Sequence, residues 1–492
     1  MSTTSNLIRR SMTSIDRFRK AKPVAHKSRR SRASIVPGID NLDERVLMAG
    51  NVITSLDSIT GTLYIKGDKG NNSIQVSVAP DTTKLRIQGT FGTATAVNGV
   101  AFRDWTMSNF TKLVVQFDQG GKDVISLNKF KIATSITITT AGTGDDKISL
   151  DSVTTNTLAI NSNVGQLPKS DIKLTNDTVG SSLTVNTGNG NDSIVVSGGK
   201  LGAVSINTGD NLATYVGMSV PVDAVDFSPI SAKAVSIIGG TGDHAINVVR
   251  TTVSSLVICT GDADSGYVCD CLTLHTNTIN VSDVLITKSI AGYTLPCVFP
   301  GDQTGTILDG QNCPPSALYI CAGNNTDIIV DSVTAMSGEM NIVVANNTWA
   351  PEFEHVSQFV VVNSQTKSMH FNVGDGDYNI QVANSSTFGG TGFTLNTQGT
   401  LGTGDKNILL VMLDVNGDYD STYGDSVFVV IVSGNSLSNN TVAIDTVNVD
   451  VTSPVFSFIW GNLGPLNTFV DYNFGSSSGF DVDGFNGGYI YW

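Results

Sequence analysis

Leu183-Thr-Val-Asn-Thr-Gly-Asn-Gly-Asn-Asp-Ser-Ile-Val-Val196 reads as strand, turn, strand. Leu183 and Val185, then Ile194 and Val196, alternate with polar residues, so each strand presents one apolar face. Gly188-Asn189-Gly190-Asn191-Asp192 joins them, and Gly, Asn and Asp are the residues that tolerate the backbone of a tight turn.

The pattern recurs along the chain. Turns of the same chemistry are Gly67-Asp68-Lys69-Gly70-Asn71-Asn72, Gly120-Gly121-Lys122-Asp123 and Gly142-Thr143-Gly144-Asp145-Asp146. Later copies are Gly239-Gly240-Thr241-Gly242-Asp243 and Gly374-Asp375-Gly376-Asp377. The first apolar residue after each turn makes a ruler: Ile74, Val124, Ile148, Ile194, Ile246, Ile328 and Ile380, with steps of 50, 24, 46, 52, 82 and 52. Most steps are near one or two multiples of about 25 residues, the signature of stacked repeats. Weaker copies at Leu85–Gly89 and Val204–Gly209 fill gaps. One such repeat cannot bury its apolar face alone, whereas stacked neighbours make a continuous core. The expected fold is all-β, a parallel β-helix or β-solenoid of roughly 25-residue coils.

Composition agrees. Glu occurs only at 44, 339, 352 and 354, so 39 of the 43 acidic residues are Asp, which favours turns over helix. Charge is split: residues 1–50 hold 11 Lys+Arg against 4 Asp+Glu, while the rest hold 18 against 39, a net −21. An acidic body repels phosphate backbones, so nucleic acid is not an expected partner of the body. The longest apolar run, Val427 to Val432, has strand length, so no transmembrane segment is expected.

The basic, Ser-rich residues 1–50 read as a mostly disordered arm for export or targeting. Ile8, Met12, Ile15 and Phe18 also fall at the spacing of a short amphipathic helix, and no continuous apolar segment of signal-peptide type is present. Arg29, Arg30 and Arg32, followed by Leu42-Asp43-Glu44-Arg45-Val46-Leu47-Met48-Ala49, resemble the N-terminal LEPR-XLL segment of planctomycete surface and secreted proteins. Asp43 and Met48 depart from that pattern conservatively. The resemblance covers about 25 residues and implies secretion or attachment at the cell surface, with a repetitive β body following. It implies no chemistry.

Domain organisation follows. Solenoid repeats are expected over 51–251 and again over 323–450. Between them, 252–322 breaks the ruler, reads as a loop-rich, cysteine-rich insertion between coils and holds all six cysteines: Cys259, Cys269, Cys271, Cys297, Cys313 and Cys321. An even count within one irregular stretch of an exported chain points to disulfides of open connectivity; a metal site and reduced buried thiols are the competing readings. Residues 451–492 are rich in aromatics and read as a C-terminal cap, with a patch for a partner or glycan as the alternative.

Candidate chemistry is sparse. Parallel β-helices include polysaccharide lyases and hydrolases, which use carboxylates with Arg or Lys on one face. The nearest set here is Asp243, His244 and Arg250, with His244 expected as a solvated turn residue. The Gly-x-Gly-x-Asp turns are similar to the calcium-binding nonapeptide, but occur about once per coil rather than in tandem. The best single metal motif is Asp414 to Asp425. There Asp414, Asn416, Asp418, Asp420, Thr422 and Asp425 occupy positions 1, 3, 5, 7, 9 and 12 of a twelve-residue loop. That spacing wraps calcium in oxygens in an EF-hand, although Tyr419 stands where the sharp turn wants Gly. The competing reading is an exposed acidic turn. Taken together, the sequence points to a secreted or cell-surface structural or adhesive solenoid, calcium-stabilised at that loop. Cell-envelope or matrix components and polysaccharide are its expected partners, and a carbohydrate-active enzyme is the alternative.

Overall fold

The computed structural model divides the chain into Met1–Val46 and Leu47–Trp492. It describes residues 50–90, 93, 95–164, 168–209, 223–228, 230–240, 244–261, 277–286, 316–323, 326–344, 356–388, 392–397, 405–417, 428–432, 441–451, 457–461, 468–471, 474–476, 480–483 and 489–491. The basic arm and its LEPR-XLL-like motif therefore lie outside the described residues, as do Cys269, Cys271, Cys297 and Cys313.

The described body is a β-solenoid: 38 strands and one 3-10 turn, with almost every strand pairing in parallel with the next coil. Each coil has three faces. The first begins just after the Gly-rich turn, as in Val124–Asn128, Asp146–Asp151, Ser170–Thr175 and Ser193–Ser197. These strands stack in register, with Ile125, Ile148, Ile172 and Ile194 laterally paired. The second face is short, pairing Thr154 with Thr178 and Thr178 with Lys200. The third leads into the next turn, stacking Leu113, Ile136, Leu158, Leu183 and Val204. Alternate residues point inward and form one continuous core cluster from Val52 to Val447. Each fully buried aliphatic side chain contributes about 1.5–3 kcal/mol, and no single coil can supply such burial alone.

Ladder register sharpens the ruler. Val124 pairs with Ser73 and Lys147, and the column residue in its coil is Ile125. The steps of 46, 52, 82 and 52 span further coils centred on Ile172, Val225, Ile279 and Phe359, whereas the step of 50 spans none, since Ile74 pairs directly with Ile125. The weaker copy that begins at Val204 joins the stack as a third-face strand, Val204 pairing with Leu183. Leu85–Gly89 does not form a coil: Lys84–Gly89 is the antiparallel partner of Ser73–Val78, and Phe102–Thr106 pairs with it in turn. Gly50–Asp57 likewise pairs antiparallel with Thr62–Lys66. Both leading strands of the first coil thus have their outer edges occupied by antiparallel strands. A bidentate ion pair fastens this end: Arg86 Nε and Nη2 each donate to Asp104 at 2.9 Å.

The span 252–322 contributes Thr252–Val253, Ser255–Cys259, Asn277–Ser282, Leu285–Ile286 and Ser316–Ala322 to the same ladders, each in register with its neighbours. In the C-terminal stretch, Ser457–Gly461, Thr468–Asp471, Phe474–Ser476, Phe480–Asp483 and Tyr489–Tyr491 continue the parallel pairing. Among the described residues no helix is long and apolar enough to cross a membrane.

Candidate functional site

A strand ladder is hydrogen-bonded along its faces, but its corners leave backbone N–H groups pointing sideways. A buried unpaired N–H costs about 1–3 kcal/mol. The polar residues of the Gly-rich turns answer this problem. The residue at the entry to the first face points inward and stacks from coil to coil: Asn72, Asp123, Asp146, Ser170 and Asp192. All five are buried. Asn72 N–H donates to Asp123 Oδ1 at 2.8 Å, and Asp123 N–H donates to Asp146 Oδ1 at 2.9 Å. Ser170 N–H donates to Asp192 Oδ1 at 2.7 Å. Each of these aspartates therefore holds the backbone of the coil before it. The aspartate closing a Gly-x-Gly-x-Asp turn is the one turned inward: Asp145 is exposed, while its neighbour Asp146 is 2 % exposed.

The glycines serve the same stacking. A Cβ on Gly144 would lie 2.5 Å from the carbonyl oxygen of Gly121, and one on Gly121 would collide with the carbonyl of Gly70. The turns sit backbone on backbone, and a side chain there would push coils apart.

The corner after the first face uses a second device. One residue per coil is left-handed: Lys129, Ser152, Asn176, Gly198, Arg250, Asp283, Ser332, Asn363, Asn384 and Met412. For a residue other than Gly this costs about 1–2 kcal/mol. The cost is offset because the bend aims each N–H at the next coil: Lys129 to Asp151 O, Ser152 to Thr175 O and Asn176 to Ser197 O, at 2.8–2.9 Å. The residue that follows is capped as at the turn. Val153 N–H donates to Asp177 Oδ1 at 2.7 Å, Val333 N–H to Ser364 Oγ at 3.3 Å and Ser364 N–H to Ser385 Oγ at 3.1 Å.

These carboxylates are electrostatically unusual. Burial pushes Asp123, Asp177 and Asp192 from the ordinary 3.8 up to about 7, against the lowering effect of the N–H groups they accept. Asp146 is raised for the same reason. The second carboxyl oxygens of Asp123 and Asp177 lie buried without a hydrogen-bond partner among the described residues. Farther along, the turn-corner column continues as Thr326, Ser357, Tyr378 and Lys406. Lys406 is buried, its Nζ donates to Gly376 O at 2.5 Å and lies 5.5 Å from the Tyr378 ring centre. Burial lowers its pKa to about 8, opposed by Asp375, Asp377 and Asp405.

The residues singled out from sequence are distributed as follows. His244 is buried rather than solvated: it occupies the turn-corner column, and its Nε2 is 2.8 Å from Gly240 O. The reason is register, since the turn places this position inside the coil. Asp243 lies outside the described residues, and Arg250 stands at the far end of the strand His244–Val249, so His244 and Arg250 are not brought together. Of the calcium motif, Asp414 and Asn416 fall within the strand Lys406–Gly417, opposite Ser386 and Phe388, with Asp414 exposed. Asp418, Asp420, Thr422 and Asp425 lie outside the described residues. Asp177, Ser364 and Ser385 were not singled out from sequence. Their signal was the preceding corner residue, most legibly Asn176, Asn363 and Asn384, since Asn tolerates the left-handed conformation. Comparison with protein-family models, curated proteins and solved structures returned no match.

Proposed function

We propose that this chain is an exported structural or adhesive protein whose solenoid serves the cell surface or extracellular matrix. The observation that carries the reading is the assignment of the buried polar groups. Asp123, Asp146, Asp177 and Asp192 each accept a backbone N–H from the preceding coil, so the conspicuous residues of the repeat motif act in construction. The outer corners are reinforced by side-chain ladders, in which Asn186 donates to Asn161 at 2.8 Å and Asn363 donates to Asp331 at 2.8 Å. The LEPR-XLL-like residues supply the export part of the proposal, and the net −21 of the body favours cationic or calcium-bridged contacts with envelope or matrix polysaccharide.

The test is delivery and attachment in cells that make the protein. Full-length chain is expected in the surface or medium fraction, and deletion of residues 42–49 is expected to retain it inside. Purified protein incubated with acidic polysaccharides should release no reducing or unsaturated ends; release would favour a carbohydrate-active enzyme instead. The loop Asp414–Asp425 is the proposed calcium site, and calorimetry should show binding that Asp414→Ala/Asp418→Ala removes. Identical titrations would reduce the loop to a turn.

A further inference from the structure

We propose that Cys259 and Cys321 form a disulfide that staples two neighbouring coils together. The two are direct lateral partners in the third-face ladder, within Ser255–Cys259 and Ser316–Ala322. Adjacent strands are about 4.8 Å apart, within the Cα separation of about 4.4–6.8 Å that a disulfide spans. Direction also fits. Leu256 and Ile258 on one strand and Leu318 and Ile320 on the other belong to the core cluster, so the alternating pleat sends both cysteine side chains to the same, outer side. Closing the bond draws the Cβ atoms toward about 3.8 Å, a movement of about an ångström that the paired strands share.

The surroundings set this pair apart. Outward residues of other third-face strands, such as Thr137, Thr184 and Ser205, are half-buried or exposed. Here the outer side is covered: Cys259 is 7 % exposed, Cys321 0 %, and their neighbours Val257 and Tyr319 are buried too. A bond in this position is shielded from dissolved reductants.

The position also has a structural use. The chain runs 62 residues from Cys259 to its lateral partner, whereas the preceding third-face step, Ile237 to Ile258, takes 21 and the following one, Ile320 to Ile342, takes 22. A strand pair joined through so long a connection has the largest loop-closure entropy to overcome, and a cross-link gains most where that loop is long.

The chemistry is thiol–disulfide exchange with a small-molecule disulfide such as oxidised glutathione. One cysteine thiolate attacks that disulfide, forms a mixed disulfide and releases one glutathione thiolate. The second cysteine thiolate attacks the bound sulfur and releases the other. The chain loses two protons and two electrons, and glutathione disulfide is reduced to two thiols.

Purified full-length protein, reduced and then equilibrated with oxidised glutathione in moderate urea, where the covered thiols are reached, tests the bond without reference to where the cell delivers the chain. Unfolding in the presence of an alkylating agent, followed by peptide mapping, should show a species joining the Cys259 and Cys321 peptides, lighter by two hydrogens than the sum of the two. The species should disappear in Cys259→Ser and in Cys321→Ser. Alkylation of both residues in oxidised wild type would overturn the proposal. So would linkage of either to Cys269, Cys271, Cys297 or Cys313.

Discussion

The coils between Ser73 and Asn207 and those between Thr326 and Val415 share one backbone plan and fill it differently. In the early coils, Asp123, Asp146 and Asp192 stand at the turn corner beside Asn72 and Ser170, and the core is aliphatic apart from Phe110, Phe117 and Phe130. In the later coils, Thr326, Ser357, Tyr378 and Lys406 stand at that corner. Their core adds a stack of aromatic rings to its aliphatic residues: Phe371 meets Phe359 edge-on at 5.1 Å and Phe393 at 5.6 Å. The difference teaches that the ladder requires an inward polar group at its corner, with no fixed chemistry for that group. Only the chemical choice decides how each half responds to mutation and to pH.

The largest expected effects come from the cores. Phe371→Ala should cost about 3–5 kcal/mol and Ile160→Ala about 2–5 kcal/mol, the aromatic site losing its edge-to-face contacts as well as its volume. Long repeat arrays depart from two-state unfolding, so urea melts should be followed by region-resolved hydrogen exchange. Each substitution should loosen its own coil and the neighbours on either side; loss of protection spread evenly over both halves would erase the contrast.

Corner substitutions come next. Asp123→Ala removes the acceptor for Asn72 N–H and should cost about 1–3 kcal/mol, whereas Asp123→Asn keeps a carbonyl oxygen there and should cost less. A smaller gain is expected at the opposite corner. Met412→Gly and Arg250→Gly relieve a left-handed backbone and should raise stability by up to about 1 kcal/mol, with Asn384→Gly closer to neutral. Equal changes at all three would mean that side-chain identity at the corner carries no cost.

How much of this was legible depended on which residues carry the signal. Alternation around Ile148 and Ile194 and the repeated Gly-Asp turns were enough for an all-β solenoid, because glycine is needed where turns sit backbone on backbone. Coils such as those of Ile172 and Phe359 escaped because Ser170 and Ser357 fill the corner and no Gly-rich turn announces them. The antiparallel start escaped because Leu85 and Ile87 alternate like any coil strand, and strand direction leaves no mark on alternation. The inward aim of Asp146 and His244 could not be separated from an exposed turn position, because neighbouring residues such as Asp145 and Asp146 differ only in which side of the corner they face. The lateral meeting of Cys259 with Cys321 depends on a 62-residue connection that no local pattern bridges.

The sharpest break between the two halves lies in their proton linkage. Asp123, Asp177 and Asp192 titrate near 7 when folded and near 3.8 when unfolded, so between those values the folded state holds more protons and stability falls as pH rises. Lys406 titrates near 8 when folded and near 10.5 when unfolded, so between those values the unfolded state holds more protons and stability rises with pH. Region-resolved hydrogen exchange in moderate urea at pH 5, 7 and 9.5, corrected for intrinsic exchange, measures both at once. The coils of Asp123 and Asp192 should lose protection between pH 5 and 7, and Asp123→Asn/Asp192→Asn should flatten that loss. The coil of Lys406 should gain protection between pH 7 and 9.5. Early coils that are equally protected at pH 5 and pH 7, or better protected at pH 7, would contradict the buried-carboxylate corner on which this account of the solenoid rests.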